Sequence, residues 1–591
     1  MSFIKKELYC KKSNQYILFL VLITIAFFIK LWKAQYGISE YDESFYLSIP
    51  HRMSLGDSLF INEWHVSQMS GLLLYPFYWL YMSVAETTEG IVLMFRYCYV
   101  VVHLLVVLYV YYSIRNNGFL TVFGCLAYFL FTPFQLMALS YNTIGMDLVI
   151  LTSVMLLTYK YKRKSSVIKL IIAGFFFAAA ILCCPYLVLI YILLFVLIMS
   201  LRVISHKSKK EKLKTEYKDK TIHDTLTLNS FVFFTLGCII QLGIFITYVL
   251  SHMKLKRFLK ALKYILSDPE HDSSFLTKTI RYFKHFFIST HPIYIAALFL
   301  LAVAFMVMLF DRNRLKHICR YIFAVCCFDC IFFLFSRDNI ALNSFMIPIS
   351  LIGVFVFVLS KEKKWNIFVG GYLFGILYSI ALNYSSNTGL YAISIGFSVS
   401  TVYSFILINV FLKERFAYHR EKHNITNKSV LLCMAVIMTY FFGIEMYYNV
   451  NISWLDKTVV YPKRLTETIE KGPLKGVYTT TYRKRRYELI YNDLMDYKKL
   501  EKKPILCLTN QCWLYLGLED FDYSTYSAWL PETKASLDRL EEYYDFNPDK
   551  KPYYVYIPDL EKWEDISIPI QFFESKGYTC KKCNSGYKLK L

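Results

Sequence analysis

The sequence predicts a polytopic α-helical membrane protein of about thirteen spans, with a C-terminal α/β domain outside the membrane. Three observations predict it. Hydrophobic residues make up 56% of the 591-residue chain and charged residues only 19%, against about 45–50% and about 25% in soluble domains. The apolar residues gather in runs near the ~20 residues that cross a bilayer. The net charge of +22 lies mostly in short clusters between those runs: from Tyr448 onward 23 basic and 21 acidic residues nearly cancel. That is the positive-inside pattern of a membrane protein, not the basic face of a nucleic-acid binder. Disordered and small disulfide-stapled chains are excluded on composition too.

Candidate spans lie near 15–33, 90–113, 119–139, 143–159, 167–184, 186–204, 229–250, 292–310, 318–335, 340–360, 365–382, 390–412 and 429–447, with a break at Cys183–Tyr186. The apolar stretch Leu72–Val84 reads as an interfacial segment. Basic clusters at Lys5/Lys6, Lys160–Lys164, Lys207–Lys214, Arg312–Lys316, Lys361–Lys364 and Lys413–Lys422 share one side if thirteen spans alternate. That side is cytoplasmic, which puts the N-terminus inside and residues 448–591 outside. The first span reads as an uncleaved anchor. One outside loop, 251–291, breaks the rule with Lys254, Lys256, Arg257, Lys260, Lys263, Lys278, Arg281 and Lys284. It reads either as an anion site or as an amphipathic helix lying on anionic lipid.

In the tail, Gly476–Thr481, Pro504–Leu508 and Tyr553–Ile557 have strand character, and Lys484–Leu500 and Lys534–Tyr544 helical character. Residues 448–591 are therefore expected to fold as a water-soluble α/β unit. Its Cys507, Cys512, Cys580 and Cys583 suit disulfides, free thiols or a zinc site.

Chemistry concentrates in the first outside loop, residues 34–89. It holds Glu40, Asp42, Glu43, Asp57, Glu63, Glu86 and Glu89, with Arg52 as its one Arg or Lys, among many aromatics. Aromatic faces stack on sugar rings, and carboxylates grip hydroxyls or act as a general base. Tyr141, Asn142 and Asp147 stand at the outer end of the fourth span, where an ionisable Asp is costly and reads either as functional or as a helix cap or interhelical bond. His103 and Asp329 fall inside spans and read as polar contacts between helices. Asp268, His271 and Asp272 have a spacing that suits a metal, but read rather as a solvated turn around Ser267-Asp268-Pro269.

The segments Tyr41-Asp42-Glu43-Ser44-Phe45-Tyr46, Met53-Ser54-Leu55-Gly56-Asp57 and Gln68 through Gly71-Leu72-Leu73-Leu74-Tyr75-Pro76 resemble the first outside loop of membrane glycosyltransferases with the GT-C fold. The nearest types are the dolichyl-phosphate-mannose protein mannosyltransferase-like family (glycosyltransferase family 39) and the lipid A aminoarabinose transferases. Those families share an Asp-Glu pair shortly after the first span, a helix ending in Gly-Asp and a Pro-containing interfacial helix. Arg96 resembles an Arg common at the start of their second span. The aminoarabinose transferases carry Glu-Lys-Pro where this chain reads Leu74-Tyr75-Pro76, which leaves the phosphate contact of that Lys unassigned.

The resemblance implies transfer of a sugar from a polyprenyl phosphate to an acceptor on protein, lipid or glycan, outside the membrane and with inversion. Asp42 would be the base and Glu43 would orient a sugar hydroxyl or share a cation with it. Arg96, Lys278, Arg281 and Lys284 would hold the phosphate. Tyr46, Gln68, Tyr141, Asn142 and Asp147 complete the candidate substrate contacts, and a divalent metal stays open. Two other classes compete: a transporter or flippase, which predicts symmetric Gly/Pro-broken repeats, and a non-catalytic cell-envelope assembly protein.

Overall fold

A computed structural model describes residues 2–39, 42–159, 164–210, 228–266, 274–288, 346–386, 389–421, 442–443, 446–447, 449–451, 453–455, 458–527, 534–558 and 565–591. Among them six helical stretches are long and apolar enough to cross a membrane: Asn14–Lys33, Ile91–Asn117, Ser166–Cys183, Asn229–His252, Trp365–Ser385 and Ala392–Glu414. The expected spans at 292–310 and 318–335 lie outside the described residues, as do most of 429–447, Asp329, and Asp268, His271 and Asp272.

In chain order, α1 (Ser2–Lys33) leads to two helices of the first loop, α2 (Asp42–Ser54) and α3 (Gly71–Ala85). The bundle continues with α4 (Ile91–Ile114), α5 (Thr121–Leu130), α6 (Tyr141–Leu157), α7 (Lys164–Cys183), α8 (Leu187–Lys210) and α9 (Leu228–His252). Two amphipathic helices follow, α10 (Leu255–Leu266) and α11 (Phe275–Ile288). Then come α12 (Met346–Leu359), α13 (Leu373–Ser385) and α14 (Leu390–Glu421).

Small residues set the packing, as expected where lipid removes the hydrophobic drive between helices. α7 and α9 cross at two glycines. A Cβ on Gly174 would lie 1.8 Å from the Phe234 carbonyl oxygen, and one on Gly237 would lie 1.9 Å from that of Ile171. The middle of α14 is buried and presents Ser394, Ser398, Ser400, Thr401 and Ser404 to its neighbours. Ser400 donates to the Tyr372 carbonyl at 2.8 Å and Thr401 to that of Met346 at 3.2 Å.

One expected span is interrupted. A single helix through 119–139 is predicted, yet α5 stops at Leu130, where Phe131 turns extended ahead of Pro133. Proline drives its predecessor, here Thr132, out of the helical region, and Thr132 is extended like Phe131. Phe134 and Gln135 then take left-handed φ values of 55° and 59°.

In the tail, β1 (Ser453–Leu455) pairs with β2 (Thr458–Val460), and β3 (Glu467–Thr468) with β4 (Tyr478–Thr479). A mixed four-stranded sheet has the order β5-β6-β8-β7, from β5 (Ile505–Cys507), β6 (Tyr554–Pro558), β7 (Thr579–Cys583) and β8 (Gly586–Lys590). Helices α15 (Thr481–Tyr497), α16 (Trp513–Leu518), α17 (Lys534–Phe546) and α18 (Ser567–Glu574) accompany it. The β7–β8 hairpin was not legible beforehand: edge strand β7 reads Thr-Cys-Lys-Lys-Cys, with both faces largely solvated. Charged edges of this kind block strand addition.

This α/β part does not stand apart, as the sequence suggested; its helices close over the first loop. Trp64 stacks on Tyr264 of α10 at 4.5 Å and meets Tyr543 and Phe546 of α17 edge-on. Buried Arg52 bonds Asp57 and Glu63, each at 2.9 Å, and reaches the Tyr543 hydroxyl at 3.4 Å. Asp57 also pairs with Lys550 at 2.6 Å, and Glu63 accepts the Ser527 N–H at 2.9 Å.

Candidate functional site

The loop begins where Tyr36 and Gly37 lie along β4. Gly37 donates to the Tyr478 carbonyl at 2.9 Å, the Tyr478 N–H returns to the Gln35 carbonyl at 2.7 Å, and the Tyr36 and Tyr478 rings stack at 4.9 Å. α2 then opens with Asp42 and Glu43 in its first turn, the end of a helix that favours negative charge. Successive helical residues diverge by about 100°, so the two carboxylates part.

Glu43 turns inward and is 2% exposed. Arg96 of α4 grips it with two prongs, Nε to Oε1 at 2.9 Å and Nη2 to Oε2 at 2.7 Å. Oε2 also accepts the Ser39 N–H at 3.0 Å. The rest of the guanidinium is spent on the Ala34 carbonyl at 2.6 Å and the Gly37 carbonyl at 2.7 Å. Arg96, expected as a phosphate contact, is thereby committed to fixing the chain between α1 and α2, and Glu43 is its counter-ion.

Asp42 faces the other way and is exposed. Its carboxylate acts on Tyr46, one turn along α2, and on Tyr141, the first residue of α6. These rings meet edge to face at 5.6 Å, and the Asn142 side chain hydrogen-bonds Tyr46. Burial first, then Tyr141 and Asp42, holds the Tyr46 hydroxyl well above its ordinary pKa, so it stays a donor. α6 is held in place by a capping box, in which Ser140 Oγ accepts the Thr143 N–H at 3.2 Å and Thr143 Oγ1 accepts that of Ser140 at 2.9 Å. Asp42, Tyr46, Tyr141 and Asn142 are thus brought together from two distant segments.

The remaining expectations fare differently. Asp147 ties three helices: its Oδ1 accepts from Tyr128 at 3.0 Å and lies 2.8 Å from His103 Nδ1, whose Nε2 meets the Tyr128 carbonyl at 3.1 Å. This is the interhelical contact expected for His103, and it takes in Asp147. Gln68 supports the loop's own turn, its Oε1 accepting from the N–H of Phe60, a residue at φ 67°. Lys278 is buried on α11 and donates to the Tyr384 carbonyl at 2.9 Å. Burial, with Arg281 one turn away, lowers its pKa. No contact among the described residues joins Lys278 or Arg281 to Asp42 or Glu43. Nor does any group of three or more His, Cys, Asp or Glu stand ready for a metal among those residues. Cys507, Cys580 and Cys583 are thiols, and Cys512 Sγ lies 3.7 Å from the Asn510 carbonyl.

Sequence reasoning missed two lysines of α1. Lys30 and Lys33 are both buried at its end, with Lys30 Nζ on the Phe131 carbonyl and Lys33 Nζ on Gln135 Oε1, each at 3.1 Å. A signal existed: two cations one turn apart, at the end of the first span where the positive-inside pattern expects few.

No family model matches the chain, and no curated protein does. Among solved structures it is similar to archaeal oligosaccharyltransferase AglB from Archaeoglobus fulgidus, in complex with an inhibitory peptide and a dolichol-phosphate. That likeness has 11% identity and a TM-score of 0.45, over 92% of this chain and 69% of that one.

Proposed function

We propose that the protein is an integral membrane glycosyltransferase that moves a sugar from a polyprenyl-phosphate donor to an acceptor hydroxyl on the extracytoplasmic side, with inversion. The observation that carries this reading is the division between the paired carboxylates. Glu43 is consumed by Arg96 and holds the start of α2, which leaves Asp42 as the exposed one of the two carboxylates, beside buried Tyr46 and Asn142 and half-buried Tyr141.

In the reaction the acceptor oxygen gives its proton to Asp42 and attacks the anomeric carbon. The bond from that carbon to the phosphate oxygen breaks, and the electron pair leaves with the phosphate. Tyr46, kept protonated, and Asn142 orient hydroxyls of the incoming groups. Phosphate is a good leaving group, so proton removal and positioning suffice.

The test is Asp42→Asn, which keeps size and hydrogen bonding. Transfer from a radiolabelled polyprenyl-phosphate sugar in membranes should fall about 10²–10⁴-fold, with protein level and thermal stability unchanged. Full transfer by this variant would remove the reading.

A further inference from the structure

Helix α10 is tied to a membrane border by its connection. α9 ends at His252 and is long and apolar enough to cross a membrane, and only Met253 and Lys254 separate it from Leu255, where α10 begins. α10 has 12 residues, too few to cross an apolar core of about 30 Å itself.

Its side chains divide into three stripes, each about 60° wide at about 100° per residue. Phe258, Ala261 and Ile265 face the protein: Phe258 meets Phe60 of the first loop edge-on at 5.0 Å, and Ala261 and Ile265 are buried. Leu255, Leu259, Leu262 and Leu266 form the next stripe. Leu262 is half-buried, whereas Leu255, Leu259 and Leu266 are 57%, 58% and 82% exposed. Lys256, Lys260 and Lys263 form the third stripe, all exposed, on the side of the leucines away from the protein. We propose that α10 reads lipid: it sits in the membrane interface with its leucine stripe among the acyl chains and its lysine row on the headgroups of anionic lipids.

Three features carry this. The first is the apolar stripe. Leucines lined up in the open along one face are a surface that wants a cover, and here the face adjoins the end of a span. The second is charge. α10 contains no acidic residue, and none of its three exposed lysines pairs with a carboxylate among the described residues. Lys260 Nζ lies over the Phe546 ring at 5.6 Å. Lysine stems can lie along an apolar surface while their heads stay at headgroup level, which is the chemistry of an interfacial helix on anionic lipid. The third is spacing. One bound anion needs cations that converge on a point. At a rise of about 1.5 Å per residue, Lys256 and Lys263 start about 10 Å apart along the axis and leave it in nearly the same direction. Such a row meets several headgroups in a plane rather than one phosphate.

α10 also grips what lies above it. Tyr264 stacks on Trp64 of the first loop at 4.5 Å and meets Phe546 of α17 edge-on at 5.4 Å, and Arg257 Nη2 donates to Asn547 Oδ1 at 3.0 Å. Docking of α10 therefore seats the first loop and α17 on the bilayer, whatever reaction the loop performs.

The test is hydrogen exchange of the full-length protein in nanodiscs, read by mass spectrometry over peptides covering 253–266. Two lipids are compared: phosphatidylcholine alone, and an equal mixture with phosphatidylglycerol. Exchange in α10 should be about 10–100-fold slower in the mixed discs. The triple variant Lys256→Gln/Lys260→Gln/Lys263→Gln should erase that difference, and Lys256→Arg/Lys260→Arg/Lys263→Arg should keep it. Leu259→Asn should speed exchange about 10-fold in both lipids; no effect would place that side chain in water and overturn the docking.

Equal exchange of the wild type in the two lipids overturns the proposal, as does a full lipid difference in a folded lysine-to-glutamine variant. Should that variant not fold, the wild type in about 1 M salt decides, where screening acts within about 3 Å: an undiminished lipid difference overturns the proposal. Inorganic phosphate added to phosphatidylcholine discs should change nothing. Protection by it equal to that by phosphatidylglycerol would make the row a site for free anions and overturn the lipid assignment. Asp42→Asn should show the wild-type lipid dependence, so the transferase reading and this one fail separately.

Discussion

Neutralising either half of the Glu43–Arg96 pair should expose how much of the site depends on it. Both side chains are almost fully buried, at 2% and 3% exposure, and share two short bonds. Removing one partner of such a pair strands the other charge and costs about 3–5 kcal/mol. Glu43→Gln belongs at the lower end, because its amide oxygen still accepts one bond. Arg96→Met belongs at the upper end, because it also abandons the Ala34 and Gly37 carbonyls. The double variant strands neither charge, so it should cost at least ~2 kcal/mol less than the sum of the singles. The assay is an SDS titration of unfolding in mixed micelles, followed by circular dichroism, for all four proteins. Costs that simply add, to within about 0.5 kcal/mol, would mean that the two groups are not bonded in the folded protein. Turnover should fall in both singles despite an intact Asp42, since the pair fixes the turn from which Asp42 projects and a misplacement of ~1 Å can cost ~10²-fold.

Burial lowers the pKa of His51 to about 4, from 6.5; its ring meets the Tyr523 hydroxyl and the Glu519 carbonyl, each at 2.8 Å. The neutral form is the one that folds, so its stability contribution is present above about 6.5 and is lost as pH falls, by about 1.4 kcal/mol per pH unit down to about 4. Unfolding midpoints across that window should slope accordingly in the wild type and flatten in His51→Gln; equal slopes refute this. Gly174→Ala should destabilise by about 1–3 kcal/mol or more, because its Cβ meets the Phe234 backbone, whereas Gly243→Ala in the same helix pair has open space and should be neutral in the same titration. Residues 458–591 expressed alone would bare Tyr523, Tyr543 and Phe546, which the first loop covers. That fragment should bind a hydrophobic dye and melt broadly, and a sharp melt without dye binding would contradict the interface.

Much of the bundle was legible because an apolar run of about 20 residues has few other fates: helices over Asn14–Lys33, Ile91–Asn117 and Asn229–His252 follow the expected spans closely. The bend after Leu130 was missed although Pro133 announces it, because the flanking residues stay apolar and composition hides a change of backbone direction. In the site, Tyr141 and Asn142 were candidates because the resemblance implies a polar residue from the second loop, and the structure places them beside Asp42 and Tyr46. The role of Arg96 did not. A cation next to a carboxylate pair looks the same in sequence whether it binds a ligand or a glutamate, and only burial and the count of its bonds decide. Lys33 and Gln135 come from two remote segments, and no local pattern links them.

The charges Arg52, Asp57 and Glu63 are sealed by groups far along the chain: Tyr543 stands 491 residues from Arg52, and Ser527 stands 464 from Glu63. At a synthesis rate of ~5–20 residues per second, the first loop waits roughly half a minute to a minute and a half for its last partners. During that wait its acidic groups stay hydrated and its aromatic face, including Trp64, lies open. The packing of the first loop is therefore completed only on chains translated through α17. A ribosome that stops early leaves a membrane-inserted product with an unfinished loop, which quality-control proteases can tell from the complete protein by its exposed aromatic surface.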